Sequence, residues 1–294
     1  MRKILITGIN GFTGHYLAEA CKTKGYEVYG LAQFVNRPRD GIYSCDLLDQ
    51  QKLSTLIDQL KPDLVAHLAG TTYVGHHNPE EFYRVNVIGT TNLLEALNQP
   101  GLTLPRVLIA SSANIYGTPD LEVLSEAVPP APVNHYAASK VAMEHMVRTY
   151  FDKLPIIITR PFNYTGVGQE DKFLIPKIIG HFKRKEKVIE LGNLDVSRDF
   201  SDVRDVVAAY LRLLESDVRS VSVNICSGHD ISLKKIIEDA NKIAGYDIEV
   251  RVNPDFVRAN EIRQLHGDNA YLKQLIGDNA LIPFKDTLQW MYEA

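Results

Sequence analysis

Tyr136 and Lys140, in Tyr136-Ala137-Ala138-Ser139-Lys140, sit four positions apart. On a helix that spacing puts a phenol and an ammonium on one face. A neighbouring ammonium lowers a phenol's pKa from its free value of about 10, so the spacing predicts a tyrosine that exchanges a proton near neutral pH. Alone the pair is a weak signal, because amphipathic helices contain it by chance. A hydroxyl source follows a candidate strand upstream, in Ser111-Ser112-Ala113-Asn114-Ile115-Tyr116-Gly117. Such a hydroxyl can hydrogen-bond the same substrate oxygen. A third feature opens the chain, Gly8-Ile9-Asn10-Gly11-Phe12-Thr13-Gly14, between a first strand and a first helix. Its glycines let the backbone turn tightly against a pyrophosphate, and the helix N-terminus adds N–H donors and a positive dipole end. Together these residues describe proton transfer at a carbon–oxygen bond beside a bound dinucleotide.

The choice of dinucleotide rests on the end of the second strand, Leu31-Ala32-Gln33-Phe34-Val35-Asn36-Arg37-Pro38-Arg39. Sites for NAD usually carry an acid there for the ribose hydroxyls. No acid appears before Asp40, and Arg37 or Arg39 could meet a 2′-phosphate. The expected cofactor is NADPH, with NADH as the other option. Asp46, next to Leu47, could accept from the adenine amino group or serve as a turn or N-cap aspartate.

The elements that must position these groups follow from periodicity. Apolar strand candidates fall at 4–6, 28–31, 64–68, 107–110, 156–158 and 221–223, with helix-like stretches near 50–60, 80–98 and 136–152. Continuous apolar strands alternating with helices predict an α/β fold, a Rossmann-type doubly wound parallel sheet covered on both faces. The rhythm breaks after residue 162. The run Lys183-Arg184-Lys185-Glu186-Lys187 reads as a solvated helix end, and Val203, Val206, Val207, Tyr210 and Leu211 form one helical stripe. The expected division is a nucleotide-binding domain from 1–162 plus about 201–226. About 163–200 plus 227–294 would form a smaller mixed α/β substrate domain.

Composition narrows the functional class. The 294 residues carry a net charge of −4, with 45% hydrophobic and 23% charged residues, which is an ordinary globular balance. There is no basic footprint for nucleic acid or an anionic membrane. Cys21, Cys45 and Cys226 are widely separated, so neither a disulfide framework nor a structural zinc site is expected. His76-His77 has no Glu or Cys at ligand spacing, and no metal is expected. No apolar run is long enough to span a membrane or to form a signal-peptide core, and the expected location is cytoplasmic.

Gly8, Gly11, Gly14, Ser112, Tyr136 and Lys140 together resemble the extended short-chain dehydrogenase/reductase family, nucleotide-sugar branch. His67-Leu68-Ala69-Gly70 and Asn86 with Gly89-Thr90-Thr91-Asn92-Leu93-Leu94 match further landmarks, and the resemblance runs from about residue 3 to about residue 270. It implies an NAD(P)-dependent oxidoreductase in which hydride passes between nicotinamide and a sugar carbon. In it Tyr136 donates or accepts the proton. Lys140 tunes Tyr136 and holds the nicotinamide ribose, Ser112 orients the carbonyl, and Asn86 orders the active-site backbone. Phe12, Thr13, Leu68 and Ala69 join the glycines, Arg37, Asp46 and Leu47 around the cofactor. It also implies a homodimer, with the helices near 80–98 and 136–152 forming a four-helix seam.

Within the family, 4,6-dehydratases place an acid just after the serine, where this chain has Ala113-Asn114. That argues against dehydration and leaves Asn114 as a substrate contact. Arg160-Pro161-Phe162-Asn163-Tyr164-Thr165-Gly166-Val167-Gly168-Gln169 resembles the RPFNxxGxGQ segment of GDP-4-keto-6-deoxymannose reductases and their dehydratase relatives. By that resemblance Asn163, Arg198 and Arg258 meet the sugar-nucleotide phosphates, Glu261 its ribose, and Val74 lines the sugar pocket. Arginine's planar charged donors suit a pyrophosphate. Two positions depart from the pattern: Ala259 follows Arg258 where proline is usual, and Gln33 stands where relatives often have arginine. The implied reaction is NADPH-dependent reduction of GDP-4-keto-6-deoxy-D-mannose to GDP-D-rhamnose, for polysaccharide synthesis. The alternatives are a 4-epimerase with tightly bound NAD, a GDP-4-keto-6-deoxyheptose reductase, and a dinucleotide-sensing regulator without activity.

Overall fold

The first strand, β1 (Lys3–Thr7), alternates its apolar side chains between two cores. Ile4 and Ile6 enter one cluster and Leu5 the other, all fully buried. This is the signature of a central strand covered on both faces. The computed structural model describes residues 1–34, 40–71, 78–256 and 264–294. After β1 come α1 (Phe12–Thr23), β2 (Glu27–Ala32), β3 (Ile42–Ser44), α2 (Gln50–Leu60) and β4 (Leu64–His67). Then follow α3 (Pro79–Tyr83), α4 (Thr90–Leu97), β5 (Arg106–Ala110), β6 (Val123–Leu124), α5 (His135–Arg148) and β7 (Ile156–Pro161).

The later half contributes β8 (Asn163–Thr165), α6 (Leu174–Lys183), β9 (Val188–Leu191), β10 (Ser197–Asp202), α7 (Val203–Glu215) and β11 (Val221–Ile225). It closes with β12 (Asp230–Ser232), α8 (Leu233–Ala244), β13 (Glu249–Val252), β14 (Gln264–Gly267), α9 (Ala270–Ile276) and α10 (Phe284–Glu293).

A parallel sheet takes the order β11-β7-β5-β4-β1-β2-β3. Helices α1 and α7 cover one face, while α2, α4 and α5 cover the other. The order reverses between β1 and β4, so the carboxyl ends of those strands open a crevice. This is the Rossmann-type doubly wound sheet. A second, mixed sheet holds β12-β10-β14-β6, with β8 also paired to β10. A third core beside it is built from α6, α8 and α10, with Ile178, Phe182, Ile236 and Leu288 fully buried.

Three details depart from the periodic reading. β3 is a three-residue edge strand, too short to show a pattern. The stretch 80–98 is not one helix: a π-helical turn, Arg84–Gly89, separates α3 from α4. α5 ends at Arg148 rather than 152, and begins at His135 because Asn134 caps it, its Oδ1 accepting from Ala137 N–H at 2.8 Å. The three cysteines are free and buried. No helix among the described residues is long and apolar enough to cross a membrane.

Candidate active site

The glycine turn lies at the carboxyl end of β1, against the start of β4's exit loop. Gly8 has φ +72°, and a Cβ there would stand 2.8 Å from Ala69 N. A Cβ on Gly14 would stand 2.2 Å from Gly8 O, so the turn closes only with glycine at that position. Gly11 is the N-cap of α1 and offers no side-chain cap, and the first turn holds no acid. The N–H groups opening α1 are therefore left for an external anion. This cradle fits a dinucleotide pyrophosphate. A cavity of about 710 Å³ opens along it, lined by Asn10, Gly11, Phe12, His15, Phe34 and Ile42 among others. Tyr136 and Ser112 do not line that cavity.

The other cofactor candidates fall around the same strand ends. Leu68 N donates to Thr7 O at 3.2 Å, and Ala69 N to Thr7 Oγ1 at 3.2 Å. Asp46 uses its carboxylate locally, accepting from Leu48 N at 2.9 Å and from Gln33 Nε2 at 3.3 Å. Leu47 is buried, and its carbonyl accepts from Asn92 Nδ2 at 2.9 Å. The side chains of Phe12 and Thr13 turn toward Tyr164: the rings of Phe12 and Tyr164 stack at 6.1 Å, and Thr13 Oγ1 lies 2.7 Å from Tyr164 Oη. Arg37, Val74, Arg258 and Glu261 lie outside the described residues, as do Arg39 and His76-His77.

Ser112, Tyr136 and Lys140 are brought together at the end of β5. Ser112 caps a short 3-10 turn, Ala113–Tyr116, its Oγ accepting from Asn114 N–H at 3.1 Å. The same hydroxyl stands near the Tyr136 phenol and favours its ionised form. Tyr136 and Lys140 occupy the inner face of α5, both buried. Lys140 Nζ donates to Ala110 O at 2.8 Å. Burial drives the ammonium's pKa down to about 8, against a smaller upward pull from Glu144.

Here the electrostatics correct the spacing argument. Burial pushes the Tyr136 phenol up to about 12, the Ser112 hydroxyl pulls it down, and nearby Tyr164 pushes it up. Desolvation of the phenolate outweighs the expected lowering.

Asn86 holds the backbone beside these groups. It is fully buried in the π-helical turn. Its Oδ1 accepts from Thr71 N–H at 3.0 Å, and its Nδ2 donates to Thr71 O at 3.2 Å and to Ser139 Oγ at 3.0 Å. Asn114 is exposed beside Ser112.

On the substrate side, Asn163 is exposed on β8, and its Nδ2 donates to Asp199 O at 3.1 Å. Arg198, half-buried on β10, donates from Nη1 to Ser197 O at 2.8 Å. Next to it, buried Asp199 accepts from Ser227 N–H, Ser227 Oγ, Gly228 N–H and Gly267 N–H. That carboxylate joins β10 to the loop after β11 and to β14. Asp199 follows Arg198 directly in the sequence, and nothing in that spacing marks it as the acceptor of four bonds. Nor does spacing mark the buried pair of Arg160 and Glu144, whose two bonds measure 3.0 and 2.7 Å. Arg160 also reaches Tyr116 Oη at 2.9 Å, and Tyr116 donates to Asn224 Oδ1 at 2.7 Å. This network ties α5 to β7 and β11. The sequence offers Glu144 a local partner instead, Arg148 one turn on along α5, and that cation also stands 3.6 Å from the carboxylate.

Residues 4–226 match the family model for the NAD dependent epimerase/dehydratase family. The chain is 38% identical over 99% of its length to GDP-6-deoxy-D-talose 4-dehydrogenase of Aggregatibacter actinomycetemcomitans, covering 97% of that protein. It is 33% identical over 98% of its length to GDP-6-deoxy-D-mannose reductase of Pseudomonas aeruginosa, covering 95% of that protein. Among solved structures it is similar to RMD from Pseudomonas aeruginosa complexed with NADPH. That match has a TM-score of 0.87 and 32% identity, covering 100% of this chain and 98% of the other.

Proposed function

This chain belongs to the NAD dependent epimerase/dehydratase family, the extended short-chain dehydrogenase/reductases. On that premise we propose that it uses NADPH to reduce the 4-keto group of a GDP-4-keto-6-deoxyhexose. The observation that carries this reading is the gathering of Ser112, Tyr136 and Lys140 at the end of β5, with an amide, Asn114, where a dehydratase would carry its acid. A tyrosine whose pKa is pushed up to about 12 keeps its proton at neutral pH, and reduction of a ketone requires a donor. The relatives named for GDP-6-deoxy sugars support the substrate class.

In this reading the nucleotide domain is 1–162 with about 201–226, and the remaining segments hold the sugar nucleotide. The glycine turn and the open N-terminus of α1 bind the cofactor's pyrophosphate. The bound NADPH supplies the hydride. Ser112 donates to the keto oxygen and orients it. Tyr136 delivers its proton to that oxygen as negative charge develops there. Lys140, whose pKa is brought down to about 8, remains largely charged at neutral pH and favours the phenolate left behind. Asn86 holds the loop at Thr71 in place. Asn163 and Arg198 hold the diphosphate of the substrate, with Val74, Arg258 and Glu261 completing its pocket. Asn114 faces the sugar and, being an amide, cannot remove a proton as a dehydratase's carboxylate would. A homodimer through the helices near 80–98 and 136–152 is part of the reading. Ile88, 51% exposed on that surface, supports it.

The product assigned is GDP-D-rhamnose. A second product, GDP-6-deoxy-D-talose, has a specific observation in its favour, the 38% identity to the talose enzyme. The two arise by hydride delivery to opposite faces of C4 with the same residues. The test is turnover of GDP-4-keto-6-deoxymannose with NADPH, followed by proton NMR of the product. A large H3–H4 coupling identifies the rhamno sugar and a small one the talo sugar. NAD retained through purification, with no net NADPH consumption, would establish a 4-epimerase instead.

A further inference from the structure

His67, at the end of β4, is fully enclosed, and both of its ring nitrogens are taken by threonine hydroxyls. Nδ1 lies 2.7 Å from Thr7 Oγ1, and Nε2 lies 2.8 Å from Thr90 Oγ1. The direction of every proton in this chain follows from the remaining bonds. Thr90 gives its single hydroxyl proton to Asn86 O at 2.6 Å. Its oxygen can then only accept from the imidazole, so Nε2 carries the ring proton. Nδ1 must therefore accept from Thr7, and Thr7 Oγ1 in turn accepts from Ala69 N–H at 3.2 Å. Burial and the nearby Lys140 ammonium hold the imidazole's pKa down at about 3, so the ring stays neutral at any working pH.

This one-way chain joins two parts of the site. At one end is Ala69 N, the atom that a Cβ on Gly8 would strike at 2.8 Å. At the other is Asn86, whose amide donates to Ser139 Oγ, and Ser139 donates to the carbonyl of Tyr136 at 2.7 Å. Thr7, Asn86, Thr90 and Ser139 are all fully buried, so no water shares these bonds at the surface. In the other tautomer the bare Nε2 would face the Thr90 oxygen, two acceptors with no proton between them, and in the charged ring Nδ1–H would turn the Thr7 hydroxyl proton away from its acceptor.

We propose that His67 is a positioning residue. Its fixed neutral Nε2–H tautomer holds the Thr90–Asn86 turn, and through Ser139 that turn sets the Tyr136 phenol against the reacting carbonyl. The proposal rests on the reductase reading for its effect on turnover, though not for the tautomer.

The test uses Thr90→Val, which removes both hydroxyl bonds while nearly preserving shape, and Thr90→Ser, which restores them. With NADPH and GDP-4-keto-6-deoxymannose, Thr90→Val should lower kcat about ten- to a hundredfold with both KM values within about threefold, and Thr90→Ser should stay within about threefold of wild type. Two readouts need no turnover. The ¹⁵N resonances of His67 should report neutral Nε2–H between pH 5 and 8. The ¹³Cζ resonance of Tyr136, assigned with Tyr136→Phe, should move in Thr90→Val and not in Thr90→Ser. A Thr90→Val enzyme with lowered Tm but wild-type kcat would reduce the network to plain packing and overturn the proposal. So would an Nδ1–H or charged imidazole, or an unmoved Tyr136 resonance. Wild-type protein that never consumes NADPH would defeat the reductase reading alone, and the two resonances would still decide the positioning role.

Discussion

Replacing Lys140 with methionine should stabilise the cofactor-free fold while abolishing turnover. In the folded chain the ammonium is enclosed, and its pKa falls from 10.5 to about 8. Below about pH 8 the lysine is charged in both folded and unfolded chains, and the folded state carries the full penalty of the buried charge. That penalty is ~3 kcal/mol at pH 7. Between pH 8 and 10.5 the unfolded chain binds a proton that the folded chain does not, so this residue's contribution to stability rises with pH. At pH 9.5 the penalty has fallen to about half. Methionine removes it but leaves the Ala110 carbonyl without its ammonium partner, a loss of about 1 kcal/mol. The variant should therefore be more stable by ~2 kcal/mol at pH 7, an increase of several degrees in Tm, and nearly equal to wild type at pH 9.5. Urea denaturation of both proteins at the two pH values measures this, provided the m-values agree. The difference between variant and wild type isolates Lys140 from the buried cysteines and tyrosines, whose raised pKa values act in the opposite direction above about pH 9. A variant less stable than wild type at pH 7, or one with the same advantage at both pH values, would refute the account of Lys140 as a costly buried charge.

Other substitutions test separate parts of the site. Ser112→Ala should lower kcat by about 10²–10³-fold through the lost donor to the keto oxygen, and lower stability by ~1 kcal/mol through the lost cap on Asn114 N–H; steady-state kinetics and a melt check the two effects independently. Gly14→Ala forces a Cβ to within 2.2 Å of Gly8 O and should abolish NADPH binding, read as loss of nicotinamide fluorescence enhancement, whereas ordinary affinity would contradict the cradle. Arg160→Leu should destabilise by about 3 kcal/mol by leaving buried Glu144 with only its longer contact to Arg148, and adding Glu144→Leu should recover most of that loss in a denaturation experiment.

Much of the fold was legible because the central strands are short apolar runs buried on both faces. Ile4-Leu5-Ile6 and Ile156-Ile157-Ile158 need no tertiary information to be seen as such. β3 was missed because a three-residue edge strand has no period. The π-helical turn at Arg84–Gly89 was hidden for a different reason. What accompanies it is Asn86 bonding across to Thr71 and Ser139, contacts between segments far apart in the chain. The positions of Ser112, Tyr136 and Lys140 on one site followed from spacing and resemblance. Their electrostatics did not, because four-residue spacing says nothing of burial or of the Ala110 carbonyl that takes the ammonium. Likewise Arg160 and Glu144 stand in recognisable segments, yet only the packing of α5 on β7 makes them partners.

The most direct test of the proposed reaction follows the hydride itself. NADPH deuterated at the transferable C4 position of the nicotinamide is supplied with GDP-4-keto-6-deoxymannose, and the product sugar is examined by NMR and mass. The account predicts one NADPH oxidised per sugar and one deuterium at C4 of the sugar, with Tyr136→Phe losing almost all of this transfer. A product with no deuterium at C4 and no net NADPH oxidation, or full transfer by Tyr136→Phe, would contradict it.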